Sequence, residues 1–433
     1  SSNRTWRGNL ELRPLTGLKI GLDGGSSRID TRYVSPLTLA QFNADPAQPG
    51  SNPWAVPADA YNHQKLESDT WRLSATLDLS PAWQLHASHD REDKLSDYGP
   101  GWRPNYDYDS DDLSMRYRGE AFSLSGGIQT FDGLRIGTSD RTGKKNTGFY
   151  LQGQYHLATT TLSAGARREN IEYTYTPTAG ATVQADHDLD AWDLGVNQRL
   201  NERVSLFANY NRAYQAPDID RFFTWGGGFN AFITPARSRT LNLGLNHVSP
   251  TNRLKFTVFH AKLDHEIYYY STGPWSGYNT NLDRTHKYGL ELQDTWRATD
   301  SLGISLNYAY TRALIDHEDD GGGAFDGKDL PGVPRHSATL GLAWRLNAAS
   351  SVNLSHTWRG SAWAAEDFAN ALSQRQAVYQ STDVVYRYRH GQLEWFAAVE
   401  NLFAHKNGMW ITDDAIYPVN FTRNWRLGMK AAF

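Results

Sequence analysis

The densest run of metal-ligating side chains is Asp316-His317-Glu318-Asp319-Asp320-Gly321. Oxygens at alternating positions ahead of a glycine imitate the opening of a calcium loop. Such a loop needs a bidentate Glu at its last position, where this chain has Gly327. The run therefore reads as a solvated acidic loop, and no metal site is assigned to it. His265-Glu266 lacks the second histidine of a zinc-hydrolase helix. Gly226-Gly227-Gly228 and Gly321-Gly322-Gly323 have no helix expected after them, so they read as turns rather than phosphate cradles. The chain has no cysteine, which removes thiol catalysis and disulfides. Neither an enzymatic function nor a cofactor is expected.

Aromatic side chains offer a different chemistry. Arg221-Phe222-Phe223-Thr224-Trp225-Gly226-Gly227-Gly228-Phe229 is one cluster. Tyr268-Tyr269-Tyr270 with Trp275 and Tyr278 is a second, and Met409, Trp410 and Tyr417 make a third. Rings bring large contact area with little loss of side-chain freedom, which suits a pocket that also holds a few placed polar groups. Arg221, Trp225, Phe229, Tyr270, Trp275, Tyr278, Trp410 and Tyr417 are the ligand-contact candidates. The competing role is a girdle at a membrane interface, and it fits Tyr268 to Tyr270 best because they adjoin a strand end. Arg221, Arg237 and Arg284 could attract an anionic chelate, or pair with Asp218, Asp220 and Asp283.

What positions these residues is a two-residue period. Near the end of the chain Phe421, Arg423, Trp425, Leu427, Met429, Ala431 and Phe433 fall on one face. Thr422, Asn424, Arg426, Gly428, Lys430 and Ala432 fall on the other. Such alternation is a strand between two media. About nineteen segments repeat it, among them Trp71 to Leu79, Leu302 to Tyr310 and Ala338 to Trp344. Their second face carries charges such as Arg72, Asp78 and Arg345, costly in a dry core and at home in a wet lumen.

Composition agrees. Aromatics reach 13 % of 433 residues, with 15 Trp and 23 Tyr, yet mean hydropathy is −0.61. A membrane helix needs ~18 consecutive apolar residues, and no such run occurs; a barrel needs only every second residue apolar. Lys+Arg 43 against Asp+Glu 47 leaves a charge of −4, no basis for a nucleic-acid partner.

Connections alternate in length. Short ones lie near Arg13-Pro14, Ser80-Pro81, Gly119-Glu120 and onward to His390-Gly391. Long ones lie near 31–65, 90–108, 133–146, 174–188, 214–237, 268–285, 315–334, 361–375 and 405–417. Short periplasmic turns opposite long extracellular loops are the rule for outer-membrane barrels, whereas a propeller has no reason to keep that parity. The expected fold is all-β: a transmembrane antiparallel up-and-down β-barrel spanning residues 1–433. An odd strand count does not close a bacterial barrel, so at least one further strand is expected upstream. Ser1-Ser2-Asn3-Arg4 carries no signal peptide.

Three motifs in this order resemble the TonB-dependent outer-membrane receptors. Val399-Glu400-Asn401-Leu402-Phe403 is similar to that family's penultimate-strand motif. Asn211-Arg212-Ala213-Tyr214-Gln215-Ala216-Pro217-Asp218 is similar to its mid-barrel segment, and the strand ending at Phe433 to its closing signal. Thr285-His286-Lys287-Tyr288-Gly289-Leu290-Glu291 resembles a recurrent strand start.

The resemblance implies a barrel of about 22 strands, of which the chain would supply about 19, together with an N-terminal plug and an energy-coupling box that precede them. It implies active import, through the TonB complex, of a ferric siderophore or similar metal chelate. Outer-membrane lipid and lipopolysaccharide would surround the barrel, and divalent ions bridging to lipopolysaccharide could sit loosely on the acidic loop. Glu394, Glu400, Asn424, Arg426 and Lys430 are the lumen residues suited to plug contact. The competing readings are another cargo, such as cobalamin or a quinone cofactor, a passive porin, and a soluble propeller.

Overall fold

A computed structural model describes residues 2–50, 61–99, 102–224, 226–273, 276–320 and 322–431. Nineteen strands form one antiparallel sheet in which each pairs with its neighbours in chain order. It runs from Ser2–Leu15 at one edge to Asn424–Ala431 at the other. A separate hairpin, Gly408–Thr412 with Ala415–Pro418, stands before the last strand. Among the described residues the two edge strands do not pair with each other. This is the wall of an up-and-down barrel.

Register shows how the alternation works. Leu10, Leu22 and Leu73 stand opposite one another on three neighbouring strands. Leu113, Ile128 and Phe149 do the same on three others. Leu22 is 48 %, Leu73 49 % and Phe149 58 % exposed, so the apolar face is the outer one. A continuous exposed apolar band is stable only where its surroundings are also apolar, which here is lipid. One position along, Asp23, Arg72 and Asp90 form the matching row on the lumen face, with Arg72 donating to Asp90. No described helix is long and apolar enough to cross a membrane; the crossing is made by strands.

Close-packed apolar side chains gather instead in three clusters built from the long connections and the strand ends beside them. Those strand ends are longer than a membrane requires. Asn252–Gly273 and Ser276–Arg297 have 22 residues each, while about ten suffice to cross when tilted. One connection carries a short helix, Leu39–Ala44, capped by Thr38: Gln41 N donates to Thr38 Oγ1 at 3.2 Å, and Thr38 N donates to Gln41 Oε1 at 2.9 Å.

Candidate functional site

The segment after Asn211-Arg212-Ala213-Tyr214-Gln215 leaves the sheet and turns onto the lumen face. Its proline removes the ladder donor, and the freed carbonyl of Pro217 accepts from Tyr173 Oη at 2.8 Å and Lys144 Nζ at 3.0 Å. Asp218 then caps a 3-10 turn, Ile219–Phe222, its Oδ1 accepting from Ile219 N at 2.9 Å. Phe222 and Phe223 are buried against Ile171, Tyr173 and Leu189 of the wall. Phe229 stacks on Tyr175, ring centres 3.9 Å apart and planes within 10°. Arg221 points elsewhere, donating from Nη1 to Asn279 Oδ1 at 3.0 Å rather than to an acid. Asp220 is held by Tyr106 at 2.8 Å and by Arg135 at 3.2 Å.

The long hairpin of Asn252–Gly273 and Ser276–Arg297 lies between this segment and the next loops. One face packs Tyr268, Leu282 and Tyr270 against Ala313, Ile315, Leu330, Phe325 and Phe368. Ile267, on the other face, touches the first cluster, and Asn281 exchanges hydrogen bonds with Thr234. Tyr278 meets Tyr270 with ring centres 5.8 Å apart, both half-buried. The third cluster joins Leu37 and Phe42 to Ala364, Trp410 and Ile416. Trp410 is 5 % exposed, edge-on to Phe42, which makes it a packing residue between loops. Tyr417, half-buried on the same hairpin, has its hydroxyl pushed up by burial. Trp225 and Trp275 lie outside the described residues.

The lumen row of the last strands is as the alternation requires. Glu394 faces Lys430, and Glu400 faces Asn424, across the final strand pair. Arg426 ion-pairs with Glu400, and Arg389 with Glu394 at 3.2 Å. The motif Val399-Glu400-Asn401-Leu402-Phe403 holds a residue whose role the sequence did not reveal. Asn401 is fully buried with φ 50°. Its Nδ2 donates to His405 O at 2.9 Å and Asn420 O at 2.8 Å, while Oδ1 accepts from His405 N at 2.9 Å. It is the brace that turns the chain off the penultimate strand.

Two further arrangements were not legible. Arg167 joins Glu169 at 2.7 Å, Gln129 at 2.7 Å and Tyr214 at 3.0 Å, fixing the start of the inturned segment to two other strands, Thr160–Pro177 and Phe122–Ile136. The acidic run 316–320 gains a partner from a neighbouring strand, since Asp283 brings its carboxylate to His317 and Asp319.

Residues 5–402 match the family described as TonB dependent receptor-like, beta-barrel. The chain is a TonB-dependent receptor barrel, and it resides in the bacterial outer membrane. It is similar in fold to the ferric citrate transporter FecA in its unliganded form, at 17 % identity and TM-score 0.78, covering 99 % of this chain and 70 % of that one. It is also similar to the ferric-catecholate import receptor Fiu from K12 E. coli, at 14 % identity and TM-score 0.75, covering 100 % and 74 %. The copper transporter OprC gives 13 % identity and TM-score 0.78, covering 100 % and 72 %. No curated protein sequence matches.

Proposed function

We propose that this barrel is an outer-membrane active-transport receptor that imports a ferric siderophore or a similar metal chelate. The observation that carries it is the inturned mouth. Three apolar clusters draw the long connections together at the strand ends. Tyr270 and Tyr278 stay half-buried on one face of the long hairpin and Tyr417 on the short one, while Arg221 and Asn279 supply a polar pair on the opposite face of the long hairpin. A passive pore has no need of such a cover. Beneath it, Glu394, Glu400, Asn424, Arg426 and Lys430 would grip the receptor's own plug domain, through which the TonB complex acts.

The test is uptake of radiolabelled iron, presented on a panel of siderophores, by iron-starved cells with and without this receptor. Loss of uptake for one chelate class, abolished also without TonB, is the expected result. Unchanged uptake for every ferric chelate removes the cargo assignment. Loss of cobalamin or copper uptake instead would keep the mechanism and change the cargo. A large steady conductance of the full-length protein in planar bilayers would point to a porin.

A further inference from the structure

At the extracellular rim Asp283, His317 and Asp319 each offer one ligand atom, all within 4.8 Å of one another. They come together because Arg284 and His317 are register partners on neighbouring strands, so the turn after His317 folds beside Asp283. His317 is oriented by a fourth group. Its Nδ1 lies 3.1 Å from Asp326 Oδ2, and an ionised carboxylate only accepts, so Nδ1 carries the proton. Asp326 is itself held, its Oδ1 accepting from Glu318 N at 3.0 Å. In the neutral ring the lone pair is then on Nε2, 3.3 Å from Asp319 Oδ1. Two acceptors at that distance repel unless a proton, as in the imidazolium, or a metal cation stands between them. Independently, Asp283 Oδ2 is fully enclosed and has no hydrogen-bond partner, a cost that a bound cation removes.

We propose that Asp283, His317 and Asp319 form a binding site for a divalent transition metal of the zinc class, with Asp326 as its positioning residue. One imidazole and two carboxylates are the ligand types zinc accepts, whereas calcium takes six or more oxygens. A carboxylate behind the second imidazole nitrogen is the usual support of a metal-bound histidine. The Asp319 side chain is 80 % exposed, which leaves the outer side of the site to water. A bound ion ties the turn after His317 to the long hairpin beside it. This site is separate from the transport reading and stands or falls without it.

The test uses the full chain folded in detergent, stripped with EDTA and titrated with cobalt(II) as a spectroscopic stand-in for zinc. One equivalent should bind, with visible absorption of four-coordinate intensity that zinc displaces. D319N, at a solvent-facing carboxylate, and H317A should each weaken binding by at least about tenfold, and D326N by about tenfold. H390A, at the opposite end of the wall, should leave it unchanged. Absence of the absorption, or its survival in both D319N and H317A, overturns the proposal; His317 is then an imidazolium held between Asp326 and Asp319.

Discussion

The guanidinium of Arg135 lies over the ring of Phe223, 3.9 Å from its centre. The same side chain is 7 % exposed and sits 2.7 Å from Asp140 and 3.2 Å from Asp220. One cation of the strand Phe122–Ile136 thus holds both a ring and a carboxylate of the inturned segment. Removing it strands Asp140, which is nearly as buried, and breaking such a pair costs about 3 kcal/mol. In R135A the amides of Arg221 and Asn230, bonded to Asp218 O and Phe222 O, should exchange roughly a hundredfold faster. Unchanged exchange would mean that the aromatic cluster alone docks the segment.

Asn401→Ala leaves the His405 amide without its bond in a part-buried site, while His405 O and Asn420 O each keep a donor from Asn407. The expected loss is about 1 to 3 kcal/mol, since one stranded buried donor costs more than the bond itself contributes. The left-handed backbone adds strain for alanine. The urea midpoint of the refolded barrel should fall, while Leu402→Ala at the neighbouring position should shift it far less.

Trp410→Ala and Tyr278→Ala separate packing from recognition. The first opens a cavity in a tight cluster, at about 3 to 5 kcal/mol. It should speed exchange at Ala365 and Glu366, whose amides bond to Trp410 O and Ile411 O. Tyr278→Ala should leave those amides protected and weaken equilibrium binding of the chelate proposed as cargo by about tenfold, as loss of an aromatic anchor does. Equal binding by Y278A would take Tyr278 out of the ligand set.

Burial raises the Glu366 carboxyl above the usual carboxylate range, against a hydrogen bond from Ser271 that lowers it. A raised acid favours the docked loop when protonated. Docking of 361–375 is therefore strongest below the ordinary glutamate value and weakens as pH rises to the raised one. The exchange ratio of wild type to E366Q at the Asn370 amide should change across that window and be flat outside it.

The membrane-crossing wall was legible because one face of each strand meets lipid and the other the lumen, so hydrophobicity alternates from Leu18 to Leu22 and again from Leu302 to Tyr310. Higher up, that contrast disappears while backbone pairing continues. Residues 268–285 therefore read as a loop, although Tyr268 pairs with Thr280 and Tyr270 with Tyr278 in a regular ladder. The helix Leu39–Ala44 did carry a signal, the Thr38 to Gln41 capping box. An aromatic residue in a loop reads the same in sequence whether it ends up packed between loops, as Trp410 does, or half-buried, as Tyr278 does. Arg135, and Asp283 beside His317, depend on register beyond the lipid, which periodicity does not report.

The long hairpin presents one face to the first aromatic cluster and the other to the second, around Tyr268, and segment 361–375 places Phe368 beside that second cluster and Ala364 in the third. The three are connected in series by elements each of which has two packed sides. Such a cover does not loosen piecemeal: displacing Phe223 changes the support of Tyr268, and through Phe368 that of Trp410. The rim is thus tied together by side-chain contacts as well as by the wall, and substitutions in two of its clusters are expected to be non-additive in their effect on loop protection.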